Sequence, residues 1–98
     1  MNDIKKYKFI KTLSELAFVD KIYLYGSRAR NDANSTADID LAIVCPSANI
    51  KQWHIILDII ENADTLLEID CIRYEQITNQ QLKSNIDKDK KVIYDKLK

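Results

Sequence analysis

The chain has one glycine, one proline and one histidine in 98 residues. So few backbone breakers exclude a flexible linker or a Gly/Ser- or Pro-rich tract, and no repeat or low-complexity stretch is present. One His and two Cys without CxxC spacing are too few for a zinc site. Cys45 and Cys71 lie in apolar, strand-like runs and read as reduced, buried thiols of a cytoplasmic protein. Net charge is also missing: 15 basic and 15 acidic residues cancel. Without a basic surplus, direct binding to nucleic acid or to a membrane surface is not expected. No apolar run is long enough to span a bilayer, and Lys5, Lys6, Lys8 and Lys11 are not followed by the apolar segment of a signal peptide. Length and a 46% apolar content fit one domain, residues 1–98, around one core.

What is present is periodic. Ile4, Tyr7, Phe9, Ile10, Leu13, Leu16 and Ala17 recur at three-to-four spacing, which predicts an amphipathic helix over 3–17. The β-branched and aromatic runs KIYLY (21–25), IDLAIV (39–44) and LLEIDCIRY (66–74) predict three strands. Between the second and third, Ser47 or Asn49 can cap a helix over roughly 49–62, with Ile50, Trp53, Ile56, Leu57 and Ile60 on its apolar side and His54 partly buried. Thr78 or Asn79 can cap a helix over 79–86, and Asp87 opens a last helix that turns Val92, Ile93 and Leu97 inward. The expected fold class is α/β (α+β), a small mixed sheet of three or more strands covered by helices.

The stretch YGSRARNDANSTADIDLAIV, 25–44, holds the chemistry. Strand side chains alternate, so Asp38 and Asp40 share one face and Ile39, Leu41 and Ile43 the other. Two carboxylates about 6–7 Å apart along a strand repel one another unless a cation or donors compensate. A divalent metal does this well, because Mg²⁺ prefers one or two carboxylates plus phosphate oxygens. In the third strand Glu68 and Asp70 share a parity, and Asp70, flanked by Ile69, Cys71 and Ile72, sits deep in an apolar run. A third carboxylate at a shared metal site would explain it, with Glu68 as the rival ligand. Ahead of the pair, Gly26 ends a strand and SRAR begins a short helical turn. Gly26 permits close backbone approach; free N–H groups, the Ser27 hydroxyl and the Arg28 and Arg30 guanidinium groups suit phosphate oxygens. If the strands 21–25 and 38–44 are antiparallel neighbours, this cradle lies beside the carboxylates. Together these features point to metal-assisted phosphoryl or nucleotidyl transfer.

This stretch resembles the minimal nucleotidyltransferase (MNT) domains of the DNA polymerase β-like superfamily. Their mark is Gly-Ser, ten residues, then Asp-x-Asp; here Gly26 and Ser27 are followed by residues 28–37 and then Asp38-Ile39-Asp40, with EIDCI later. The resemblance covers most of the chain and implies the polymerase β palm-like nucleotidyltransferase fold. Carried over by position, it implies that Gly26 and Ser27 hold ATP, that Arg28 and Arg30 contact phosphate with Arg30 the better match, and that Asp38 and Asp40 bind two Mg²⁺. It makes Asp70 the third carboxylate, which helps to activate the attacking hydroxyl. One departure is Asn31, where the family usually has Gly; Asn tolerates left-handed backbone better than most residues.

The resemblance also implies a partner. Such domains are commonly the antitoxin half of a toxin–antitoxin pair and transfer AMP to a tyrosine of a HEPN-domain ribonuclease. This chain is accordingly expected to be a Mg²⁺-dependent protein adenylyltransferase in a homo- or hetero-oligomer. Two other functions stay open on sequence: a non-catalytic module that neutralises its partner by contact, and a small-molecule nucleotidyltransferase completed by another subunit.

Overall fold

KIYLY and IDLAIV become strands β1 (Lys21–Tyr25) and β2 (Ile39–Val44), with the bounds that alternation predicts. In the computed structural model, which describes residues 3–32, 34 and 36–98, they pair antiparallel. Tyr25 lies opposite Asp40 and Lys21 opposite Val44. Beyond β2, Asn49 caps helix α2 (Ile50–Glu61) through a reciprocal capping box. Its side chain accepts from the Gln52 N–H at 2.8 Å, and the Gln52 side chain accepts from the Asn49 N–H at 2.9 Å. This helix carries the chain back, so that β3 (Ile69–Arg73) runs parallel to β2.

Helix α3 (Gln80–Asp89) is capped by Asn79, which accepts from the Leu82 N–H at 2.9 Å. The helix expected after Asp87 does not form. Residues Lys91–Asp95 are strand β4, antiparallel to β1, and the sheet order is β3-β2-β1-β4. Val92 is 50% exposed and Leu97 86% exposed; of the three residues expected to face inward, only Ile93 is buried. The physical reason is the open edge of β1, whose unpaired N–H and C=O groups the Val-Ile-Tyr run satisfies. The sheet is therefore mixed and four-stranded, within the α/β class that the sequence predicts.

The first helix is shorter than its periodicity suggests. Tyr7 is extended (ψ 137°) and separates a 3₁₀ turn (Asp3–Lys6) from α1 (Lys8–Ser14). No side chain of the local sequence caps α1. Asp64, from the loop after α2, does so instead: its two carboxylate oxygens accept from the N–H groups of Lys8 (3.0 Å) and Phe9 (3.1 Å). Those bonds hold the Asp64 carboxyl below its ordinary pKa.

Alternation puts Ile22 and Leu24 of β1 and Ile39, Leu41 and Ile43 of β2 on one face, all fully buried in the main core with Leu13 of α1 and Ile56 of α2. The opposite face carries Tyr23 and Ala42, both buried. There the Tyr23 ring meets Tyr74 edge-on at 5.4 Å, and the Lys90 ammonium lies 4.5 Å over it. His54, expected to be partly buried, is exposed on α2. Cys45 is buried and Cys71 half-buried; both are free, and burial pushes their thiols up to about 11 and about 12. Both are therefore protonated at neutral pH. No described helix is long and apolar enough to cross a membrane.

Candidate active site

The residues GSRARN form one tight turn between β1 and the loop into β2. Its hydrogen bonds are helical: Arg30 N–H to Gly26 O at 3.2 Å and Ala29 N–H to Gly26 O at 3.1 Å. It closes with the two bonds of a Schellman motif, Asp32 N–H to Ser27 O (3.1 Å) and Asn31 N–H to Arg28 O (3.3 Å). Asn31 takes the left-handed position of that motif, with φ 63°. The asparagine thus does what glycine would do there. Ala33 and Ser35, in the ten-residue spacer, lie outside the described residues.

Gly26 has φ 75°, and its Cα packs against the Asp40 side chain. A Cβ at this position would collide with Oδ2 of Asp40 and stand 3.2 Å from its Cγ. The glycine is therefore required twice, by its backbone angle and by contact with a carboxylate. Among the described residues, neither the N–H nor the hydroxyl of Ser27 has a hydrogen-bond partner, and both are available to a ligand.

Asp40 and Asp70 are register partners on the parallel strands β2 and β3. Their backbones are therefore about 4.8 Å apart, with the side chains on the same face. Burial, then the negative charges of Asp70 and Asp38, hold the Asp40 carboxyl above its ordinary pKa. Arg28 and Arg30 pull it the other way and do not prevail. Among the described residues, no Lys or Arg lies within ion-pairing distance of Asp38, Asp40 or Asp70. Asp70 was expected deep in an apolar run, yet it is exposed: β3 is an edge strand and its outer face is open. Glu68, the rival third carboxylate, stands before β3, and its carbonyl accepts from the Ile39 N–H at 2.9 Å.

The two arginines of the turn find protein partners. Arg28 turns back across the loop: its Nε and one Nη donate to Ala37 O (3.0 and 2.7 Å), and Nε also lies 3.2 Å from Asp38 O. It clamps the backbone that presents Asp38. Arg30 is exposed and ion-paired with Asp32 (3.1 Å) and Asp89 (3.7 Å), which raises its pKa further. One residue escaped the sequence reading. Tyr25 lies directly opposite Asp40. Burial, then the charges of Asp70 and Asp40, push its phenol up to about 12. The signal available was its place beside Gly26 at the end of an antiparallel strand.

Among the described residues, no three His, Cys, Asp or Glu side chains are gathered into a ready metal cage. The donor set still fits a hard divalent cation. It offers carboxylate oxygens only, two of them on directly adjacent strands and uncompensated, and Mg²⁺ completes its shell with water and phosphate oxygens.

The sequence profile of the family described as polymerase beta, nucleotidyltransferase, matches residues 7–98. The chain belongs to this family. It is a nucleotidyltransferase enzyme. It is 30% identical over 88 residues to MJ1379, a candidate protein adenylyltransferase of Methanocaldococcus jannaschii, covering 88% of this chain and 86% of that protein. Two solved structures share the fold. One is a toxin–antitoxin crystal structure with AMP-PNP (TM-score 0.66, 18% identity, 90% of this chain and 72% of that one). The other is a mutant of the toxin–antitoxin pair MntA–HpeT (TM-score 0.64, 16% identity, 97% of this chain and 74% of that one).

Proposed function

We propose that this chain is a protein adenylyltransferase that moves AMP from ATP to a tyrosine hydroxyl of a HEPN-domain toxin, acting as its antitoxin in the cytoplasm. The observation that carries the reading is the uncompensated Asp40–Asp70 pair beside the Gly26 turn. Like charges level with one another on neighbouring strands destabilise a sheet, and a bound cation would relieve them. Likeness to a candidate protein adenylyltransferase and to toxin–antitoxin structures supports the choice of acceptor.

In this reading the available Ser27 N–H and hydroxyl bind the triphosphate, and Gly26 lets it approach the backbone. Asp38, Asp40 and Asp70 would hold Mg²⁺, two ions by family resemblance, which when bound neutralise charge on the attacking and leaving oxygens. The acceptor oxygen forms a bond to the α-phosphorus, the bond from that phosphorus to the bridging oxygen breaks, and pyrophosphate leaves. In the same reading Asp70, exposed at the open edge, takes the hydroxyl proton. Arg28 contributes by holding the Asp38 backbone, and Arg30 by tying the turn to the end of α3. The acceptor arrives on another chain, so the working form is a hetero-oligomer.

The test is transfer of label from α-labelled ATP, with Mg²⁺, to the protein encoded beside this one, using wild type and the Asp38→Asn/Asp40→Asn variant. Label on the neighbour that is lost in the variant is the expected result. Complex formation with no label on the neighbour would mean a binding module instead. Label on a small hydroxyl compound with no protein acceptor would move the enzyme to small-molecule substrates.

A further inference from the structure

The main core and the carboxylate row do not account for a groove beside α2. A groove of about 590 Å³ runs between the last turns of α2 and the segment entering β3. Leu57, Ile60, Leu67 and Ile69 line its apolar part, and Glu61 and Glu68 its polar part. Leu66, beside it, is fully exposed, and Leu57 is more than one-third exposed. We propose that this groove docks the acceptor segment, and that the segment is a peptide with basic residues around its hydroxyl and one apolar anchor. The proposal rests on the nucleotidyl-transfer reading above and adds to it the chemistry of the acceptor.

Three observations place and type the occupant. First, the groove lies at the same end of the sheet as the site, across the edge strand from it. The α2 helix returns the chain to the end of the sheet where β2 and β3 begin, and the Glu68 carbonyl accepts from the N–H of Ile39, between Asp38 and Asp40. Second, the way around is open. Because β3 is the edge strand, a docked chain can pass its start and reach the Asp70 face within two or three residues, at about 3.3 Å each. Third, the charged residues that line the groove are acidic. Between Lys51 and Arg73 there is no Lys or Arg, whereas Asp58, Glu61, Asp64, Glu68 and Asp70 all fall there. Asp64 is engaged in capping α1. Among the described residues, Asp58, Glu61 and Glu68 form no ion pair. An acidic segment would add repulsion beside a pair of carboxylates that already repel, so complementarity selects a basic one.

The probes are short tyrosine peptides of two kinds, Arg-flanked and Glu-flanked, each with the same leucine anchor. Binding to the full chain is read by fluorescence anisotropy, and transfer from labelled ATP with Mg²⁺ is read in the same samples. The Arg-flanked peptide is expected to bind about tenfold more tightly, with the preference weakening in salt. The exposed double reversal Glu61→Lys/Glu68→Lys should invert the order, and Leu66→Ser should weaken both peptides. Equal binding of the two peptides, or an order untouched by the reversal, overturns the proposal. The two readouts separate the claims. Charge-dependent binding without label keeps the docking groove and sinks hydroxyl transfer; label that ignores peptide charge keeps transfer and sinks the groove.

Discussion

Asp70→Asn should make the protein more stable while stopping its chemistry. Asp40 and Asp70 face each other across roughly 5–6 Å on neighbouring strands, with no counter-charge within ion-pairing distance among the described residues. Their repulsion is about 0.7 kcal/mol in a water-like medium and about 3 kcal/mol at an effective dielectric of 20. Asp70 is exposed and Asp40 half-buried, which puts the pair near the lower limit, about 1 kcal/mol. Removing one charge should raise the melting temperature by about 4–8 °C for a domain of this size. The pH dependence follows from the raised pKa of Asp40. Protonation of that group favours the folded state, so its contribution is complete below the ordinary carboxylate pKa of about 3.9 and is lost as pH rises through the folded value. Asp70→Asn removes the larger of the two charges behind the rise, so the variant loses less stability over that range. The difference in melting temperature should be small below the ordinary carboxylate pKa of about 3.9 and grow as pH rises through the raised pKa of Asp40. Circular-dichroism melts across this range, in low and high salt, measure it. A variant that melts at or below wild type at neutral pH and low salt would show that the two carboxylates do not strain the fold.

Gly26→Ala should cost about 2 kcal/mol or more and abolish transfer, because it combines a left-handed backbone with a collision against Asp40; chemical denaturation and label transfer report both effects. Arg28→Ala should cost about 1.5–3 kcal/mol of stability by orphaning the Ala37 carbonyl, and should reduce transfer by loosening the Asp38 backbone; Arg28→Lys, which cannot reproduce the fork, should recover little. Ultraviolet titration should find two phenols, Tyr25 and Tyr74, ionising at about 12, and Tyr25→Phe should remove one of them. Both phenols stabilise the fold below their unfolded pKa of about 10, and that contribution fades as pH rises towards about 12. Leu41→Ala, at a fully buried position of the central strand, should cost about 2–5 kcal/mol in denaturant melts, which compares core packing with the charge effects above.

The site was legible in sequence to the extent that it is local. β1, the Gly26 turn and β2 are consecutive, and alternation alone assigns Asp38 and Asp40 to one face and Ile39, Leu41 and Ile43 to the core. Asn31 could be read as a left-handed residue, since side-chain chemistry decides that preference on the spot. The Asn49 cap is equally local, because both halves of its capping box lie within four residues.

What escaped depends on partners far along the chain. Asp64 caps α1 from 55 residues away, so neither helix end showed it. Lys91–Asp95 has helix-compatible spacing, and only the unpaired edge of β1 turns it into β4. Parity in β3 allowed both Glu68 and Asp70 to face the site; the parallel register then brought Asp70, and not Glu68, level with Asp40. The arginines show the same division. Their type predicts affinity for phosphate, and a guanidinium fork also binds the acceptors that the fold brings near it. In the fold these are the Ala37 and Asp38 carbonyls for Arg28 and the Asp32 and Asp89 carboxylates for Arg30. Positive charge is thus spent on holding the turn and loop, while Asp40 and Asp70 stay without an ion-pairing partner among the described residues. In the proposed reading, that imbalance is what a nucleotide–metal complex would relieve.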